Sequence, residues 1–147
     1  MPQVTRLLAV LGAMAASKSA DVISAPNDCL LCPRLCVSRK AVVNGVGPLP
    51  ADILIVAQNP GAKEESANPP VPLIGWSGQR LAVLCQQAGF SLLDTRRENI
   101  VRCRPPKAPK GGDSTPTKAE IEQCAPFLLA VIEECKPRII ITKFTFN

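Results

Sequence analysis

Histidine is absent from this 147-residue chain, so no acid–base or anion-stabilising step borne by an imidazole can occur in it. No apolar run approaches the roughly 20 residues that a membrane-spanning helix needs, so no membrane association is expected. Seven cysteines are an odd number, which argues against a fully paired disulfide framework and suits a reducing, cytoplasmic setting with metal-bound and free thiols. Acids are the minority charge, 12 against 17 lysines and arginines, and the net +5 favours a polyanionic partner without identifying one.

What remains is enough for one domain. With 46% hydrophobic residues over this length the chain can build one core and is too short for two ordinary domains. Leu7, Leu8, Leu11 and Met14 fall at helical spacing, and this reading is preferred to a short signal-peptide core because export would oppose thiolate ligation. Residues 1–28 are therefore expected to be an N-terminal helix and linker, and residues 29–147 a single domain.

The cysteines are placed unevenly. Cys29 and Cys32 form a C-x2-C pair, while Cys103 and Cys124 stand alone further on. A close pair and two distant singles can converge on one centre, since four thiolates complete a zinc or an iron–sulfur site. Cys36 extends the pair and is an alternative ligand; Cys85 and Cys135 fall in helical apolar patterns and read as small buried hydrophobes.

Along the chain, Ile53 to Ala57 is a short β-branched apolar run that suits a central strand covered on both faces, and Asn59-Pro60-Gly61 stops it. Ser77 to Ala88 reads as a helix closed by Gly89. Asn99 to Arg102 reads as a second strand running into Cys103. Thr117-Lys118-Ala119-Glu120 is a capping box that starts a long helix, which Lys136-Pro137 ends. Arg138 to Thr142 reads as a third buried strand. Strand, helix, strand, helix, strand predicts a parallel three-layer α/β sandwich whose site lies in loops at the carboxyl ends of the strands.

Five segments in this order, C-x2-C, ILIVAQNPGAKEE, PLIGWSGQRLAVL, NIVRCRPPK and EIEQCAPFL with KPRIIIT, resemble the iron–sulfur (family 4) uracil-DNA glycosylases. The resemblance implies a three-layer uracil-DNA-glycosylase-like sandwich with a central parallel sheet, and a [4Fe–4S] cluster on Cys29, Cys32, Cys103 and Cys124. It implies hydrolysis of the N-glycosidic bond of deoxyuridine by a monomer acting on uracil-containing DNA. Asn99 matches the asparagine that reads the uracil edge, for which one amide offers both a donor and an acceptor. Gln58 and Asn59 match the first catalytic motif, where Asn59 would position the water; Ala57 stands where a glycine is usual. Gly61, Leu73 and Gly75 match the segments around the base, with Leu73 replacing an aromatic that stacks on uracil. Arg102, Arg104 and Lys107, with Lys110 beyond them, would face phosphates. Glu64 and Glu65 are expected to be solvated charges.

The family's histidine loop, which follows the strand matching Ile139 to Thr142, has no counterpart in the chain, and Lys143-Phe144 stands where its glycine belongs. The fold is accordingly expected to be incomplete at the C-terminus and the activity impaired. The alternative function is a non-catalytic iron–sulfur nucleic-acid-binding protein.

Overall fold

The computed structural model describes residues 23–144. The helix expected over Leu7 to Met14 lies outside them. Helix α1 (Pro33–Ser38) follows the cysteine pair, with proline in its first turn, where the missing N–H costs nothing. Strand β1 (Ile53–Ala57) leads through helix α2 (Ala62–Ser66) to helix α3 (Trp76–Gln87). A 3-10 turn at Leu92–Asp94 precedes β2 (Arg96–Asn99), and helix α4 (Lys118–Cys135) precedes β3 (Ile139–Lys143).

The three strands form a parallel sheet in the order β2-β1-β3. The alternation of β1 fixes the layers, because successive side chains point to opposite faces. Ile55 and Ala57 join Leu73, Cys85 and Leu92 under α3, whereas Leu54 and Val56 pack with Val131 and Cys135 of α4. A third cluster, built from Ala25, Leu35, Val42, Val101, Cys103 and Cys124, holds the cysteine end. This is the expected three-layer α/β architecture. The helix boundaries also follow the sequence signals: Gly89 takes φ +89 beyond α3, and Thr117 and Glu120 cap α4 reciprocally.

Two strands depart from expectation. The second occupies Arg96–Asn99, three residues earlier than its apolar content suggests, and all four residues are buried. Glu98 makes this possible: its carboxylate meets Arg96 at 2.6 Å and Arg102 at 3.2 Å, with all three side chains inside. A Cβ on Gly45 would collide with that carboxylate, so glycine is required where the preceding loop crosses it. The third strand is exposed rather than buried, with Ile139 and Ile140 in solvent, because β1 is its one strand partner among the described residues.

Candidate functional site

The parallel register sets three residues side by side at the carboxyl edge of the sheet: Asn99 opposite Ala57, and Ala57 opposite Lys143. All three line a cleft of about 380 Å³ together with Gln58, Asn59, Pro60, Gly61, Lys63, Glu64, Leu73, Gly75 and Trp76. That volume falls within the range of small-ligand sites, about 300–1,000 Å³.

Asn99 is 2% exposed, and its side-chain Nδ2 has no hydrogen-bond partner among the described residues. A buried amide donor left unpaired costs about 1–3 kcal/mol, so an unpaired amide lining a cleft is poised for a ligand. Asn59 donates its own Nδ2 to the Pro60 carbonyl at 3.0 Å, which turns that side chain back on its loop. The backbone N–H of Val101 donates to Gln58 O at 3.1 Å, tying the first motif to the segment that carries Asn99.

Glu64 organises the rest of the cleft wall. Its carboxylate accepts from the N–H of Gly61 and of Gly75, both at 3.1 Å, and a Cβ at either glycine would stand within 3 Å of its oxygens. Glu65 accepts from Lys40 N and pairs with Arg104. Both glutamates are buried, so the expectation of solvated charges is corrected: each neutralises or bonds groups distant in sequence. Leu73 is buried with φ 61, a left-handed conformation that costs a non-glycine residue about 1–3 kcal/mol. Gly78 backs onto it so closely that a Cβ there would strike the Leu73 carbonyl, which seats α3 against this loop.

The expected phosphate contacts are largely committed elsewhere. Arg102 is 1% exposed; it donates to Glu98, Asn44 Oδ1 and the Ile23 carbonyl, and its guanidinium stands 5.3 Å from the centre of the Phe127 ring. It is an interior cation and cannot face DNA from this position. Arg104 is held by Asp113 and Glu65, the Asp113 hydrogen bond first among the causes that raise its pKa. Lys107 and Lys110 are exposed.

The cysteine end is a separate recess. Cys29, Cys32, Cys103 and Cys124 line it with Leu35, Arg39 and Phe127, and every described cysteine is a free thiol. Burial first, then Cys124, Glu120 and the other thiols, pushes Cys32 up to about 11. Burial likewise raises Cys103 and Cys124. No three ligating side chains among the described residues converge as they would around a single ion. Arg39, unremarked in the sequence, donates to the Cys29 carbonyl at 2.7 Å and to Cys36 and Cys103 Sγ at 3.4 Å each. Cys36 itself points at the Cys29 carbonyl, 3.3 Å away. Cys85 and Cys135 are buried among apolar neighbours, as expected.

A three-layer sheet with a cleft at its strand ends and an unpaired amide in that cleft defines an α/β protein with a candidate ligand site at the carboxyl edge of its sheet. The family model described as the Uracil DNA glycosylase superfamily matches residues 44–143, and the chain belongs to that superfamily. It is similar to the type-4 uracil-DNA glycosylases of Pyrobaculum aerophilum, at 37% identity over 78% of this chain and 54% of the relative, and of Thermotoga maritima, at 36% over 77% and 55%. The corresponding protein of Saccharolobus solfataricus is 35% identical over 71% of this chain and 45% of its own. The chain spans about half the length of the curated relatives it matches.

Proposed function

We propose that the chain takes a uracil extruded from DNA into the cleft and hydrolyses its N-glycosidic bond, acting as a monomer in a reducing compartment. The observation that carries this reading is the buried, unpartnered Nδ2 of Asn99. An amide there donates to uracil O4 and accepts from N3–H, whereas cytosine presents those two groups reversed. Asn59 has its Nδ2 occupied by Pro60, which leaves Oδ1 to hold the water that attacks the sugar. The departing uracil carries negative charge, and Lys63 and Lys143 are the cations lining the cleft. Without an imidazole, turnover should be slow, since losing one preorganised charge-stabilising group costs about 10²–10³ in rate.

Cys29, Cys32, Cys103 and Cys124 are the residues that would hold a [4Fe–4S] cluster. The donor set fits: four thiols lining one recess supply the four thiolates that such a cluster takes. When bound, the group supplies a cross-link between the N-terminal segment, the Asn99–Cys103 loop and α4.

The test is release of free uracil from a uracil-containing single strand. Slow release that Asn99→Ala abolishes is expected; no release and no preference for uracil would overturn the reading. The absence of histidine favours one second reading, a non-catalytic binder, which uracil preference without release would identify.

A further inference from the structure

Trp76 is the chain's single tryptophan, and it is 72% exposed although it lines the cleft. A large aromatic side chain left in water at the mouth of a polar cleft is unexplained by packing. Its position is fixed from behind: Trp76 opens α3 directly after Gly75, whose N–H is held by the buried Glu64 carboxylate. Arg80, one turn on, places its guanidinium 5.7 Å from the centre of the indole ring, so the ring is braced by a cation. Lys63 and Lys143 line the same cleft, and the one carboxylate among the lining residues, Glu64, is buried and bonded to two backbone N–H groups. The mouth is therefore aromatic and cationic, while the interior offers the Asn99 amide.

We propose that Trp76 is a stacking platform for the nucleobase that flanks the extruded one, and that Arg80 accompanies it by meeting the intervening phosphate. The inference rests on the reading of the cleft as a base pocket and adds to it a subsite outside the pocket. Aromatic stacking is sequence-tolerant, because every base has a π face, so the platform grips any neighbour and leaves selection to Asn99. Leu73, buried in the cleft, offers the extruded base no ring; the aromatic surface of this mouth belongs to Trp76, on its exposed rim.

The lone tryptophan makes the test direct, since all indole fluorescence of the full chain reports this position. Three short single strands are titrated: uracil with ordinary neighbours, uracil between two abasic sites, and thymine with ordinary neighbours. Quenching is expected with the first and third strands and should be largely lost with the second, even at saturation. Trp76→Ala should weaken binding of the first strand about tenfold and of the abasic-flanked strand hardly at all, with Trp76→Phe recovering part of the loss. Equal quenching by the first two strands would overturn the proposal, because the indole would then sense the uracil itself or the backbone. Absence of quenching by any strand would overturn it too. If no strand shows uracil preference but abasic flanks still remove the quench, the platform stands and the uracil reading fails.

Discussion

The cleft and the cysteine recess hang on the same five residues, Asn99 to Cys103, yet they are finished differently. In the recess the cations are largely engaged: Arg39 binds a carbonyl and two sulfurs, and Arg102 binds Glu98, Asn44 and Ile23 through its terminal nitrogens, with only its Nε unpartnered among the described residues. In the cleft an amide donor is buried without a partner, a leucine is held at positive φ, and a tryptophan stands in water. The recess gathers four free thiols. The cleft keeps local costs that a transient ligand can relieve.

Glu98 lies between the two regions, and its removal should disturb both. Glu98→Gln leaves Arg96 and Arg102 buried without their shared counter-charge, which typically costs about 3–5 kcal/mol. Urea unfolding should register that loss, and iron retention and uracil preference should fall together. If the variant unfolds like the parent, the two sites do not share this support.

A change confined to the recess should separate them. Cys103→Ser is expected to remove most bound iron and sulfide from anaerobically purified protein, whereas Cys36→Ser should retain them, since the Cys36 thiol is turned to the Cys29 carbonyl. Iron lost in the Cys36 variant and kept in the Cys103 variant would show that the ligand set is wrong. One tightly held zinc in the parent would reject the cluster.

The smallest effect concerns the clamp from α1 to α4. Arg34 donates to both Glu120 oxygens at 2.7 Å, and this bond, first among the causes, holds the Glu120 carboxyl below its ordinary value of 4.5. A carboxylate depressed in the folded state contributes stability above its unfolded pKa and loses it as pH falls through the lower, folded one. Because Arg34 is partly exposed, Arg34→Ala should cost no more than about 1 kcal/mol near neutrality. The difference from the parent should shrink in acid below the usual glutamate range; a constant difference at every pH would contradict the assignment.

The same contrasts decide which features are legible in the sequence alone. Ile53–Ala57, the capping box at Thr117 and Glu120 and the glycine after α3 are legible because periodicity and capping are local. The Arg96–Asn99 strand is hidden because Glu98 at its centre is buried between Arg96 and Arg102, an arrangement that neither its propensity nor its hydropathy reveals. Glu64 and Glu65 are hidden for the same reason: their burial depends on Gly75, Lys40 and Arg104, which folding brings to them. Arg102 illustrates the reverse error, a cation beside a cysteine motif that resembles a phosphate ligand until Glu98 is seen to claim it. Asn99, Leu73 and Gly75 were placed by motif, and they do line one cleft. Trp76 gave no signal in the sequence beyond being the chain's single tryptophan.

The central claim is that Asn99 reads the edge of the extruded base. It is tested most directly by binding of matched uracil- and cytosine-containing single strands to the parent and to Asn99→Ala, compared at equal iron content. The account predicts a uracil preference of about tenfold or more in the parent and none in the variant, while the salt dependence of binding stays unchanged because phosphate contacts are intact. An undiminished preference for uracil in Asn99→Ala would contradict it.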